Sequence, residues 1–215
     1  EFRMADRKSM VRFPKFVDPK EMDSIMFTEQ ELADKVKAMG AEISAAYVGN
    51  LAEPLIVICT LKGATTYFAD LVRALDVDQQ WEFMSFSSYG SSVKSSGAVQ
   101  LMLDLKTDIS GRDILVVEDI LDTGNTLKYM LKQLEAREPK SIKTAVLLHK
   151  YEMTIPGVTA DFVGFQIPNK FVVGYGLDYA QKYRGLPFIG VVAPWVYQGG
   201  SHDAPKETST DVQPS

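Results

Sequence analysis

The feature that most constrains the fold is a run of aliphatic residues that turns acidic and then enters a Gly-containing turn. Residues 114–126 have the sequence ILVVEDILDTGNT. The four aliphatic residues at 114–117 favour a central strand of a parallel sheet, because such strands are apolar on both faces. Apolar side chains then recur at helical spacing over residues 127–134. The segment therefore predicts a buried strand, a turn and a helix.

The same segment also predicts what binds there. In parallel sheets, ligands bind beyond the carboxyl ends of the strands, which is where Glu118 and Asp119 fall. Backbone N–H groups and hydroxyls at the start of a helix, here residues 123–126, suit a phosphate. Carboxylates would repel a bare phosphate, but they suit the ribose hydroxyls or divalent cation beside it. We therefore expect a sugar-phosphate site.

Further strands and helices alternate along the chain, which favours an α/β fold around a mainly parallel sheet. Thr28 and Glu31 have the spacing of a capping box at a helix start. Residues 67–75 carry an apolar stripe at helical spacing. Short apolar runs predict strands at residues 55–60, 81–86, 99–105, 142–148, 161–165, 171–175 and 188–193.

Composition limits the class of protein. A chain of 215 residues suits one domain, and its net charge of −5 argues against a nucleic-acid surface. The longest apolar runs are too short to span a membrane, and the N-terminal charges argue against a secretory signal. The single cysteine, Cys59, cannot form an intrachain disulfide, and two histidines give no zinc-site spacing. We expect a cytoplasmic protein without nucleic-acid or membrane partners.

Several segments together resemble a known family. Residues 114–126 are similar to the ribose-phosphate motif of the type I phosphoribosyltransferases. The sequence LKG at 61–63 leading into FADL at 68–71, LLHK at 147–150, and DFVGF at 161–165 through KFVVGYGLDY at 170–179 narrow the resemblance to the hypoxanthine-guanine phosphoribosyltransferases. Arg184 follows at the family's spacing. The resemblance runs in order over residues 27–192, and four motifs in register make it specific.

The resemblance implies a mainly parallel twisted sheet flanked by helices, with a small hood subdomain. It implies purine salvage, in which the 5-phosphoribosyl group of 5-phosphoribosyl 1-pyrophosphate passes to hypoxanthine or guanine with Mg²⁺, giving IMP or GMP and pyrophosphate. Residues 27–198 would form the phosphoribosyltransferase domain, including the hood elements. Residues 1–26 match the family poorly, and residues 199–215 have the composition of a disordered tail. The family usually forms homodimers or homotetramers.

The resemblance assigns Asp122 as the proton acceptor at the purine. Its other assignments are the 5′-phosphate site (Asp122, Thr123, Gly124, Asn125, Thr126), the ribose and metal site (Glu118, Asp119, with Asp178 as a further metal ligand), the purine site (Lys150, Phe171, Val172, Asp178), the pyrophosphate site (Lys62, Gly63, Arg184) and a mobile flap (Ser88, Tyr89). It also implies a cis peptide at the Lys62–Gly63 pair. Some members of the family carry Lys where Asn125 stands.

Most of these residues have a simpler interpretation. Asp122 could cap the following helix, since Asp is a common cap residue. Glu118 and Asp119 could be solvated strand-end carboxylates that point to opposite faces. Lys150 and Arg184 could be surface charges, and the remaining site residues ordinary turn or core residues.

Two other functions stay open at this point. A non-catalytic ligand-sensing or regulatory protein could keep the same fold, although such a binder should have lost Asp122 or the phosphate turn. Transfer to a different base is disfavoured by Lys150 and by the Phe171-Val172 pair. The ammonium of Lys150 would face the amino group of adenine and leave two donors unpaired.

Overall fold

The computed structural model describes residues 4–88 and 99–198, which form two sheets flanked by helices. The strands are β1 (Met22–Phe27), β2 (Leu55–Leu61), β3 (Gln79–Ser88), β4 (Val99–Leu103), β5 (Asp113–Leu121), β6 (Ser141–His149), β7 (Phe162–Gln166), β8 (Val172–Val173) and β9 (Ile189–Val192). The α-helices are α1 (Glu29–Tyr47), α2 (Thr65–Ala74), α3 (Asn125–Glu135) and α4 (Pro194–Gln198).

The main sheet has the strand order β4-β3-β2-β5-β6-β7. Neighbours from β3 to β7 pair in parallel, and β4 pairs antiparallel with β3. Strand β5 lies in the middle, and the aliphatic side chains of residues 114–117 have no solvent exposure. The predicted central strand and the predicted mainly parallel α/β fold are both confirmed.

A smaller antiparallel sheet, the hood, has the order β1-β9-β8. It has its own apolar cluster, which includes Met22, Ile25, Val173 and Phe188. The predicted strand at 171–175 is reduced to the two residues of β8, because the chain turns with positive φ at Gly174 and Tyr175. Since β1 begins at Met22, the hood also draws on residues that the sequence analysis placed in the N-terminal segment.

Helix α1 begins with the predicted capping box. The Thr28 side chain accepts a hydrogen bond from the Glu31 N–H at 3.3 Å, and the Glu31 side chain accepts one from the Thr28 N–H at 2.8 Å. The predicted helix at 67–75 is α2, which buries Tyr67, Phe68 and Leu71. Both helices pack on the main sheet through one continuous apolar cluster.

Some predictions concern residues outside this description. Tyr89 and residues 199–215 lie outside the described residues, and Ser88 is the last residue of β3. In the part of the chain that is described, no helix has the length and apolar character needed to cross a membrane. Cys59 is a free, buried thiol in β2.

Candidate active site

Three of the predicted site residues, Gly63, Asp122 and Lys150, lie just beyond the carboxyl ends of β2, β5 and β6. The main chain at Gly63, after β2, lies directly against the Asp119 carboxylate, so that an added Cβ would overlap with Oδ2. An added Cβ at Gly176 would in turn overlap with the Gly63 carbonyl oxygen. Three segments that are distant in sequence therefore meet at one point, and glycine is what lets them approach.

Glu118 and Asp119 form an acidic pair at the end of β5. Burial raises the pKa of Glu118 well above its usual range, and the charge of Asp119 raises it further. Burial also raises the pKa of Asp119, against the opposing effects of hydrogen bonds and of the Arg184 charge. Burial of both carboxyls argues against fully solvated strand-end groups, and the charge of Asp119 acts on Glu118.

Asp122 forms an ion pair with Lys150, with Oδ2 2.8 Å from the lysine Nζ. Lys150 is 8% exposed, so it is a buried cation rather than a surface charge. Asp122 does not cap α3, because the cap residue is Gly124 with φ of 87°. The ion pair brings together the two residues that the resemblance assigns to the purine ring and its oxo group.

The turn at residues 123–126 leads directly into α3. Gly124 has no side chain to accept hydrogen bonds from the first helical turn, and that turn contains no acidic residue. The Asn125 N–H makes only a long hydrogen bond, 3.4 Å, to Thr123 Oγ1. Amide groups at a helix start that are not capped in this way are suited to an anion. This helix start is the segment that the resemblance assigns to the 5′-phosphate.

Phe171 and Val172 lie at the start of β8 with different surroundings. Val172 is buried between the sheets, whereas the Phe171 side chain is 37% exposed. The Phe171 ring stacks on Tyr197 of α4, with centroids 4.9 Å apart and planes at 18°, and meets the edge of Tyr179. Tyr197 was missed by sequence reasoning, and an aromatic residue shortly after the last strand was the only available signal.

Asp178 and Arg184 pair with each other, Oδ1 to Nη2, at 2.7 Å. Arg184 Nη1 also donates to the Gly176 carbonyl at 2.8 Å, and its Nε is buried without a hydrogen-bond partner among the described residues. Asp178 accepts from the Gln181 N–H at 2.8 Å, which is the turn role that sequence alone suggested. Arg184 is therefore held beside the site rather than free on the surface.

Lys62 follows a cis peptide bond, which joins Leu61 to Lys62. The resemblance implied a cis bond within the Lys62–Gly63 pair, so the structure places it one bond earlier. The Lys62 side chain is exposed, and the Lys62 carbonyl accepts a hydrogen bond of 2.6 Å from Thr65 Oγ1 at the start of α2. The turn is thereby tied to the helix that follows it.

The carboxylates fit a hard cation without forming a complete cage. Oε2 of Glu118 is buried and has no hydrogen-bond partner within residues 4–88 and 99–198. Over the same residues, no cluster of three His, Cys, Asp or Glu side chains has the geometry to hold a metal by itself. Mg²⁺ is commonly bound by one or two carboxylates with waters and substrate oxygens. This donor set suits an ion that arrives with a phosphorylated ligand.

A mainly parallel sheet with an acidic strand end, an uncapped helix start after it and a hood sheet defines the class of the type I phosphoribosyltransferases. The family model described as a phosphoribosyl transferase domain matches residues 26–180. The chain is 46% identical to the hypoxanthine-guanine phosphoribosyltransferase of Bacillus subtilis over 83% of this chain and 97% of that protein. It is 44% identical to the Mycobacterium avium protein of the same name, over 84% of this chain and 90% of that protein.

Comparison with solved structures leads to the same family. The hypoxanthine phosphoribosyltransferase of Trypanosoma cruzi, in complex with the product IMP, superposes with a TM-score of 0.78 at 41% identity, covering 87% of this chain and all of that one. The Staphylococcus aureus enzyme gives a TM-score of 0.77 at 37% identity, over 82% and 95% of the two chains. The chain belongs to the hypoxanthine-guanine phosphoribosyltransferases, enzymes of purine salvage that transfer a phosphoribosyl group.

Proposed function

We propose that the chain transfers the 5-phosphoribosyl group from 5-phosphoribosyl 1-pyrophosphate to hypoxanthine or guanine, with Asp122 as the proton acceptor. The observation that carries the proposal is the Asp122–Lys150 pair of 2.8 Å at the carboxyl edge of the main sheet. The bond from the anomeric carbon to pyrophosphate breaks, and the purine nitrogen bonds to that carbon. The purine ring must lose a proton when this bond forms, and the Asp122 carboxylate beside the ring can accept that proton.

Lys150 gives the reaction its base preference. Its buried ammonium would donate to the 6-oxo group of hypoxanthine or guanine, whereas adenine would present a second donor there. Phe171 would stack on the flat purine, and Val172 would meet the purine edge through its backbone. Because Lys150 is largely buried, an unpaired donor next to it would not be compensated by water.

Phosphates are held by groups around this pair. The turn at residues 122–126 would hold the 5′-phosphate, and Lys62, Gly63 and Arg184 would hold the pyrophosphate. The planar guanidinium of Arg184 suits phosphate oxygens. Mg²⁺ bound near Glu118, Asp119 and Asp178 would supply charge neutralisation for the departing pyrophosphate. Asn125 provides no cation, so the backbone and hydroxyl donors of this turn would carry the phosphate contact.

The remaining predictions extend the same proposal. Ser88 and Tyr89 would belong to a flap that closes over the reacting sugar and excludes water. Residues 27–198 would be the phosphoribosyltransferase domain, flanked by the 1–26 segment and the 199–215 tail. The active form would be a homodimer or homotetramer, acting on small molecules in the cytoplasm.

The test compares the wild-type protein with Asp122→Asn, using Mg²⁺, 5-phosphoribosyl 1-pyrophosphate and each of hypoxanthine, guanine, xanthine and adenine. We expect turnover of the 6-oxopurines, and a kcat about 100-fold lower or more in Asp122→Asn, as for loss of a general base. Asp78→Asn is the control, because Asp78 lies before β3 at the opposite edge of the sheet. Binding of the sugar pyrophosphate without turnover of any base would reject the catalytic proposal and favour a ligand sensor.

A further inference from the structure

A short segment after β6 runs alongside the Asp122 turn and is tied to it through Thr154. The Thr154 Oγ1 lies 2.9 Å from the Asp122 carbonyl oxygen and 3.2 Å from the Lys150 carbonyl oxygen. It also lies 3.1 Å from His149 Nε2. One hydroxyl therefore touches the main chain of both residues that the proposed function places at the purine.

The hydrogen-bond capacity of this hydroxyl fits its surroundings. A threonine hydroxyl has one hydrogen to donate and two lone pairs to accept with. When His149 Nε2 carries its hydrogen, Oγ1 accepts from it and donates towards the two carbonyls, of which Asp122 is nearer. The Lys150 carbonyl is bonded in any case, since it accepts from the Met153 N–H at 3.0 Å. The Asp122 carbonyl is thus the one that depends on Thr154.

Main-chain hydrogen bonds support the same arrangement on either side. The Lys150 N–H donates to the Leu121 carbonyl at 2.9 Å, and the Ile155 N–H donates to the Thr123 carbonyl at 3.0 Å. Asp122 lies between these two contacts, and the Thr154 hydroxyl is the bond that fixes it to the neighbouring segment. Three successive residues, 121–123, are therefore each tied to the segment 150–155.

We propose that Thr154 is a positioning residue, which sets the distance and angle between Asp122 and Lys150 without touching the substrate. The inference deepens the proposed function and rests on it. Removal of the hydroxyl frees the Asp122 carbonyl to turn, so that the carboxylate leaves its position 2.8 Å from Lys150 Nζ. The purine then meets a proton acceptor and an oxo-group donor whose separation no longer matches its ring.

The test uses Thr154→Val, which keeps the shape and removes the hydroxyl, and Thr154→Ser, which keeps the hydroxyl. For Thr154→Val we expect kcat/KM for hypoxanthine to fall about 10-fold or more, since small displacements of aligned groups are costly. The KM for 5-phosphoribosyl 1-pyrophosphate should stay within about twofold, because the Ile155 N–H still donates to the Thr123 carbonyl and holds the amides of residues 123–126 in place. Thr154→Ser should recover most of the lost kcat/KM.

Thr144→Val is the matched control for a lost threonine hydroxyl. Thr144 lies within β6, away from its carboxyl end, where its hydroxyl donates to the Asp161 carboxylate at 2.9 Å. Thr144→Val should lower the melting temperature and leave kcat/KM for hypoxanthine near the wild-type value.

Three outcomes overturn the inference. They are wild-type kinetics in Thr154→Val, no recovery of kcat/KM in Thr154→Ser, and an equal rise in KM for both substrates in Thr154→Val. Failure of the proposed function looks different, because the wild-type protein itself would then not convert hypoxanthine.

Discussion

At Gly63 the main chain passes so close to Asp119 that no side chain fits between them. We expect Gly63→Ala to displace either the turn at residues 62–63 or the Asp119 carboxylate, and to cost about 1–3 kcal/mol of folding stability, as other overpacking substitutions do. Urea unfolding at neutral pH measures the change.

Gly185→Ala is the control for that measurement, because no atom of the described residues lies within 4 Å of a Cβ added there. Its effect should lie within about 0.5 kcal/mol of zero. Equal stability of Gly63→Ala and Gly185→Ala would mean that the contact between Gly63 and Asp119 is looser than described.

Single residues are also where sequence reasoning reached its limit. The identities of Asp122 and Lys150 were predicted from motifs, but burial of the lysine was not, since a charged residue after a strand is usually exposed. Thr154 was not predicted at all. Its role depends on two main-chain oxygens from different strands, and no local pattern records such a contact.

At the scale of secondary-structure elements, the α1 capping box offers a prediction with a pH signature. Burial alone would raise the pKa of Glu31, but the hydrogen bonds of Thr28 and the charge of Arg7 outweigh it, and the net pKa is lowered. A lowered pKa in the folded state stabilises the protein above the unfolded value and loses that contribution as pH falls. Thr28→Ala should cost about 1 kcal/mol at pH 7.

Glu31→Gln isolates the charge. Its destabilisation relative to wild type should be present at pH 7 and should shrink as the pH is lowered through the acid range below the usual pKa of glutamate. Urea unfolding of both proteins across this range is the measurement. A difference that grows as the pH falls would contradict the assigned role of the Glu31 carboxylate.

Elements with local signals were predicted well, and the others were not. Strand β5 and helix α3 follow from apolar periodicity, and α1 follows from the Thr28 and Glu31 spacing. Strand β1 was missed, because its pattern lacks clear alternation and its pairing partner, β9, lies at the far end of the chain. Strand β8 was overestimated, because positive φ at Gly174 and Tyr175 ends it early and apolar composition does not report φ.

At the scale of the whole molecule, one side-chain hydrogen bond joins the turn after β8 to helix α2. The Tyr175 hydroxyl donates to Asp70 Oδ2 at 2.5 Å. We expect Tyr175→Phe to loosen the hood against the main sheet and to cost about 1–2 kcal/mol, since the acceptor is charged but partly exposed. Hydrogen exchange of residues 172–177 should become faster.

Tyr47→Phe is the matched control. The Tyr47 hydroxyl, at the end of α1, donates to the Ile114 carbonyl of β5 in the main sheet at 3.3 Å. It should leave the exchange of residues 172–177 unchanged. Unchanged exchange in Tyr175→Phe as well would show that backbone contacts alone hold the hood.

The parallel sheet and its class could be predicted from sequence, but the meeting of Gly63, Asp119 and Gly176 could not. Each lies on a different segment, and their close approach depends on how the hood sits over the sheet. Family resemblance supplied expected roles for Gly63 and Asp119 but none for Gly176, whereas contact distances and burial came only from the folded chain.

The hood draws on strands near both ends of the described chain, since β1 pairs with β9. A ribosome releases the N-terminal strand first, and domains fold as their parts emerge. All six strands of the main sheet are synthesised before β9. At that stage β1 still lacks its pairing partner. Phe171 and Arg184 also emerge after β7. We expect a chain truncated before β9 to form most of the main sheet and to bind phosphate weakly. Without a complete hood, it would lack a complete purine-binding site.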